Sequence, residues 1–132
     1  MARVFRQAEA KRLSLPGRNA LEILSGETGA RGVTLRLVEI PVSAPDAQPR
    51  SWHLHDDFEE CIFVLAGHGT TSTQKTEHPL QPGDTILIPP GEKHMTRNTG
   101  TQPLLLLCFF PVADIAQRTV ESSPVTKASR TP

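Results

Sequence analysis

The sequence predicts an all-β sandwich or barrel, and three observations carry that prediction. Short runs of apolar, branched and aromatic residues recur along the chain, each four to eight residues long, as strands require. Nine glycines and twelve prolines punctuate the chain at its turns. No stretch has the long 3.6-residue apolar periodicity of an amphipathic helix, so the strands must pack on one another. The chain's 132 residues suit one compact domain.

Residues 1–19 are polar with scattered apolar positions (Val4, Phe5, Leu13, Leu15) and end near the Leu15-Pro16-Gly17 turn. They read as an arm packed on the barrel or on a partner. Residues 20–112 hold the strands. Ala20–Leu24 and Val33–Ile40 are joined by a glycine-rich connection and pair as a hairpin. Alternation along the second puts Val33, Leu35 and Leu37 on one face and Thr34, Arg36 and Val38 on the other. Arg36 is then either a solvated strand charge or a catalytic group that binds a substrate carboxylate or steadies a ligand, depending on which face meets the interior. Pro41, Pro45 and Pro49 make 41–50 a loop, a candidate rim. A strand with Trp52, His53 and His55 follows. Trp52 alternates away from the histidines and is expected to pack between the sheet and a neighbouring subunit. Asp56 and Asp57 form a turn.

Cys61–Leu65 is a strand that ends at the tight turn Ala66-Gly67-His68-Gly69. Ile62 and Val64 share a face with Glu60 and form a pocket wall with Ile86. His68 and His78 are placed in turns or loops at the surface, and Leu80–Gly83 in a turn. Thr85–Ile88 is a strand, Pro89–Gly91 a turn, and His94–Asn98 a returning strand whose His94, Thr96 and Asn98 face inward. Leu104–Phe110 is apolar on both faces and is predicted to be sandwiched. Residues 113–132 form the C-terminal piece: helical turns over Ala113–Val120, then a mobile Ser-, Thr- and Pro-rich tail. No helix-turn-helix unit fits there.

The chemistry lies between Trp52 and Asn98. His53 and His55 are one residue apart on a strand, so both imidazoles face one point. Glu60 follows closely, and the sharp Pro89-Pro90-Gly91 turn can bring His94 beside them. Three imidazoles and a carboxylate make a ligand set for one divalent transition metal, with Fe, Mn, Ni, Co, Cu and Zn all compatible.

These residues resemble the two motifs of the cupin family. His53, His55, Glu60 and Gly67 match the first, and Gly83, Pro89, Gly91, His94 and Asn98 the second, with residues 68–82 between them. Ala47 stands where the pattern has a glycine ahead of the histidines. The resemblance implies a double-stranded β-helix, or jelly-roll, barrel with the four ligands converging inside its mouth, and a homodimer, for which the apolar N-terminal strands offer a surface.

Four ligands on an ion that accepts six leave two positions open, which suits catalysis. Oxygen-dependent cleavage of a small organic acid or diketone fits, as does redox-neutral decarboxylation, isomerisation or lyase chemistry. A protein that binds or senses a small ligand without turnover is the alternative. The chain contains no tyrosine, so proton transfer falls to metal-bound water, Glu60, a histidine, or a wall group such as Arg36 or Lys93. A net positive centre favours a small anionic or oxygen-rich substrate.

Fourteen basic and fourteen acidic residues cancel, leaving no electrostatic footprint for nucleic acid or an anionic membrane. Arg3, Arg6, Lys11 and Arg12 are not followed by an apolar signal core, and the expected location is cytoplasmic. Cys61 and Cys108 lie in strand-like runs and are expected to be free, buried thiols. Alternation turns Cys61 away from Glu60 and the metal.

Overall fold

The computed structural model describes residues 1–47, 50–116 and 119–122. Eleven strands follow one another: β1 (Lys11–Leu15), β2 (Arg18–Leu24), β3 (Thr34–Ile40), β4 (Trp52–His55), β5 (Glu60–Ala66), β6 (Gly69–Thr73), β7 (Glu77–Leu80), β8 (Thr85–Ile88), β9 (His94–Asn98), β10 (Leu104–Phe110) and β11 (Thr119–Ser122). They form two antiparallel sheets, six strands in the order β1-β2-β3-β10-β5-β8 and five in the order β11-β4-β9-β6-β7. Their inner faces meet as a jelly-roll barrel. No helix among the described residues is long and apolar enough to cross a membrane.

The six-stranded sheet shows how alternation builds the interior. Reading across it, Glu22, Arg36, Cys108, Ile62 and Ile86 occupy one inward row, and Ala20, Val38, Leu106 and Val64 the next. Val64, Leu104, Leu106 and Ile88 are almost wholly excluded from water and join Ile40, Phe58, Phe110 and Ile115 in one cluster. Burying such a side chain contributes about 1.5–3 kcal/mol, so the fold has an apolar basis independent of any ion.

Four strands depart from the sequence reading. Residues 11–15 belong to β1, an edge strand paired with β2, so the polar arm ends earlier than 19. β6 and β7 form a hairpin where only turns and loops were expected, and His78 lies in β7. The sequence Gly-Thr-Thr-Ser-Thr lacks apolar alternation, yet β6 is buried throughout. Its hydroxyls are satisfied inside, with Thr71 Oγ1 and Thr96 Oγ1 sharing a hydrogen bond of 2.6 Å. Thr119 and Val120 are extended in β11, paired with β4, rather than helical, because β4 offers them an open edge. The expected tail over 123–132 lies outside the described residues.

Trp52 is 2% exposed within a single chain, so it needs no neighbouring subunit to cover it. β10 is not sandwiched. Leu104, Leu106, Cys108 and Phe110 are buried, whereas Leu105 and Leu107 are partly open and Phe109 is exposed. No strand among the described residues packs on that outer face.

The second sequence motif has a structural share. Asn98 Nδ2 donates to the Ile40 carbonyl (2.9 Å) and the Gln102 carbonyl (2.7 Å), and its Oδ1 accepts from Gly100 N–H (2.8 Å). One amide thus ties β9 to β3 and shapes the turn into β10. Gly67 sits at φ 84°, and a Cβ there would lie 2.5 Å from the Pro103 carbonyl oxygen. Only glycine meets both demands.

Candidate metal centre

His53 on β4 and His94 on β9 are direct register partners, which places two imidazoles side by side in the five-stranded sheet. His55 follows two residues along the same face of β4. Gly91 N–H donates to the His55 carbonyl (2.7 Å), so the Pro89–Gly91 turn is fastened to the strand it must serve. Glu60 begins β5 in the opposite sheet and reaches across. Its Oε1 stands 3.1 Å from His55 Nε2, 3.0 Å from His94 Nε2 and 4.0 Å from His53 Nε2. One ligand atom from each of the four residues lies within 4.8 Å of every other. Neighbouring ligands at about 2.1 Å from one ion stand about 3 Å apart and opposite ones about 4 Å, so the spacing fits a single ion.

The hydrogen-bond network identifies which nitrogens face the centre. Thr119 Oγ1 donates its only proton to the Ile115 carbonyl (2.6 Å), so it accepts from His55 Nδ1 (2.9 Å). His94 Nδ1 donates to the Glu92 carbonyl (2.9 Å). Both rings are thereby oriented with Nε2 toward Glu60, the arrangement by which outer partners hold metal-binding histidines. Phe58 stacks on His55 with centroids 4.8 Å apart, and Phe110 meets it edge-on at 5.2 Å.

Burial above all, then the neighbouring His94, pushes His53 down to about 3, so its imidazole is neutral and ready to ligate. Burial alone would raise Glu60, but its close contacts with His55 and His94, with the charge of His94, outweigh it and hold the carboxyl at about 2. For His94, burial works toward the neutral form, yet the Glu60 bond and charge prevail and its pKa is raised. The converging lone pairs favour a cation between them, and the raised His94 pKa favours a proton there when no metal is bound. The all-nitrogen-and-oxygen donor set fits a divalent transition metal.

The cluster opens on a cavity of about 310 Å³ whose walls include Ile62, Val38, Leu106 and Phe110. Arg36 faces this interior, which settles its orientation. It is ion-paired to Glu22 at 3.0 Å and lies 6.0 Å from the Phe110 ring centre. Lys93 does not line the cavity, because it precedes inward-facing His94 and alternation turns it away. His68 is exposed, and neither His68 nor His78 belongs to the cluster.

Arg18, Arg50 and Cys108 are among the cavity residues that escaped the sequence reading. Arg50 Nη2 is buried with no hydrogen-bond partner among the described residues. Burial, and then the charge of Arg18, lowers Arg50 to about 10, which leaves it cationic at neutral pH. Cys108 is a buried free thiol whose pKa is pushed well up by burial and by Glu60, so it stays protonated. Cys61 is partly exposed rather than buried and stands outside the ligand group. The signal for Cys108 was its alternation with Leu106 and Phe110. For Glu22, it was a charge within the apolar run Ala20–Leu24.

The family model for the cupin domain matches residues 36–110, more than half of the chain. The chain belongs to the cupin family. A 78-residue stretch of this cupin is 35% identical to an uncharacterised protein of Methanocaldococcus jannaschii, covering 59% of this chain and 61% of that one. Over 65 residues it is 32% identical to the glucose-6-phosphate isomerase of Pyrococcus horikoshii, covering 46% of this chain and 34% of that enzyme. The chain thus spans less than two thirds of these relatives. Among solved structures, the formate complex of Lactobacillus farciminis oxalate decarboxylase superposes with a TM-score of 0.72 at 20% identity, over 86% of this cupin and 34% of that chain. That likeness is one of fold.

Proposed function

We propose that this cupin is a metal-dependent enzyme acting on a small organic acid or a related oxygen-rich anion. The observation that carries the reading is the shared cavity: four convergent donors, His53, His55, Glu60 and His94, and three guanidinium groups, Arg18, Arg36 and Arg50, line one space. That space, about 310 Å³, suits a small molecule. Arg36 is neutralised by Glu22, whereas Arg50 has a buried N–H group without an acceptor among the described residues, the kind of group a carboxylate satisfies.

A divalent ion held by the four residues would supply Lewis-acid polarisation of a bound oxygen. The chain's own residues do the rest. Arg50 orients the acid, the Phe110 and Ile62 side of the wall limits water, and Arg36, fixed and neutralised by Glu22, keeps its part of the wall polar. Glu60 is the only carboxylate lining the cavity among the described residues, so proton transfer at the substrate falls to Glu60 or to a histidine of the cluster. Both oxygen-dependent cleavage and redox-neutral lyase or isomerase chemistry are compatible with this set.

The test is metal-loaded protein challenged with dicarboxylates, keto acids and 1,3-diketones, followed by mass spectrometry with an oxygen electrode. Consumption of an acid is expected, and oxygen uptake separates the two reaction classes. Binding without consumption would leave a ligand-binding or sensing protein. Calorimetry should show acids binding more tightly than a neutral alcohol and Arg50→Gln weakening them; equal affinity for the alcohol would refute anion recognition.

A further inference from the structure

The cavity beside the four convergent ligands is polar at two ends and apolar between them. Pairing register orders the inward side chains of the six-stranded sheet in rows. Glu22, Arg36, Cys108 and Ile62 form one row, and Ala20, Val38, Leu106 and Val64 the next. Glu60 stands one step beyond Ile62 on one side, and Arg18 one step beyond Ala20 on the other. The two charged side chains therefore start three rows apart, about 20 Å of strand at about 3.3 Å per residue, and approach each other over Val38 and Leu106. Leu15, the register partner of Arg18, extends this floor, and Leu15, Val38 and Leu106 all line the cavity.

Arg50 belongs to the Arg18 end. Its side chain lies against the turn between β1 and β2, 2.8 Å from where a Cβ on Gly17 would stand. Arg18 is near enough for its charge, after burial, to lower the pKa of Arg50. Arg50 Nη2 is buried with no hydrogen-bond partner among the described residues, whereas Arg36, in the row between the two ends, is held by Glu22 at 3.0 Å. An incoming carboxylate thus has its unmet donor at the end away from Glu60.

We infer that the ligand is an amphipathic monocarboxylic acid that places its carboxylate on Arg50 and its apolar body along Leu15, Val38 and Leu106, so that its far end meets the histidines and Glu60. This rests on the proposed recognition of an acid and names its class: an acid whose reacting oxygen is separated from the carboxylate by an aliphatic or aromatic spacer, rather than a short chelating acid. The carboxylate makes charge-assisted bonds to the buried guanidinium, and the spacer removes the apolar floor from water. A two-carbon diacid could satisfy one polar end and would leave that floor wet. Size agrees, because 310 Å³ holds about ten non-hydrogen atoms at about 30 Å³ each, the share of a water in the liquid.

The test is calorimetry of the chelator-treated full chain with acetate, butanoate, hexanoate, 3-phenylpropanoate, oxalate and hexan-1-ol. Affinity should rise about fourfold per methylene from acetate to hexanoate, the equivalent of about 0.8 kcal/mol for each buried CH₂, and oxalate should bind more weakly than hexanoate. Arg50→Gln should weaken every acid in the series. Leu15→Asn, a half-buried position on the edge strand β1, should bring hexanoate back toward butanoate and leave acetate unchanged. Val38→Thr, which adds a hydroxyl to the floor at nearly constant volume, should do the same even if the Leu15 variant fails to fold. A flat series, or oxalate tighter than hexanoate, with acids still preferred to the alcohol, would overturn the inference and leave acid recognition standing. Hexan-1-ol binding as tightly as hexanoate would overturn both. Hexanoate binding that requires added zinc and ignores Arg50→Gln would put the carboxylate on the ion and overturn the orientation.

Discussion

Replacing Glu60 by glutamine in the metal-free protein tests the electrostatics of the centre. The carboxylate is 4% exposed, with its Oε1 3.1 Å from His55 Nε2 and 3.0 Å from His94 Nε2. Its displacement from 4.5 to about 2 is worth about 3 kcal/mol of stability at about 1.4 kcal/mol per pKa unit. Because this pKa is depressed, the contribution is present above pH 4.5 and is lost as pH falls toward 2. His94 shifts the opposite way: its raised pKa adds stability that is complete below 6.5 and fades as pH rises through the folded value. Both describe one contact, so the two are not summed. His53, lowered to about 3, subtracts stability from parent and variant alike between pH 6.5 and 3. Urea unfolding after chelator treatment should show Glu60→Gln less stable by up to about 3 kcal/mol between pH 4.5 and 6.5, with the gap closing on acidification. A gap unchanged at pH 3, or a variant more stable than the parent at pH 6, would refute the account.

Three further outcomes follow from the same coordinates. His94→Ala should lose bound metal on dialysis, with affinity down more than the 10- to 100-fold typical of outer partners, yet keep its circular dichroism because the apolar cluster is untouched; an unfolded variant would make the site structural. Metal binding below the raised His94 pKa should release about one proton, so affinity rises about tenfold per pH unit there, measured by calorimetry in buffers of different ionisation enthalpy; a flat pH response would count against the His94–Glu60 ion pair. Gly67→Ala should lower stability by at least about 1–3 kcal/mol in thermal unfolding, since its Cβ would meet Pro103 and Leu104 backbone atoms at a left-handed φ of 84°.

The ligands were legible because their chemistry travels with local spacing. His53 and His55 share a face by alternation alone, Glu60 follows within five residues, and the proline turn before His94 announces a reversal. The barrel interior was legible where apolar alternation is plain, as in Ile62 and Val64. β6 was not, because five small and polar residues become a buried strand only once β7 and β9 flank them and Thr96 answers Thr71. Arg18 and Arg50 come to the cavity through long-range packing: a Cβ on Gly17 would lie 2.8 Å from the Arg50 side chain, a contact no spacing rule reveals. β10 was read correctly as apolar on both faces, but the layer expected over its outer face is not found among the described residues.

Thr119, on the last described strand, pairs in register with His55 and fixes its Nδ1. The centre is therefore unfinished until the chain has emerged from the ribosome through Thr119. Chain emerging only as far as Asn98 would contain all four metal-binding side chains with one imidazole unsteadied and the β10 layer missing. Loading with the ion accordingly belongs after synthesis rather than during it, and a nascent chain stalled before residue 104 should bind zinc far more weakly than the released protein.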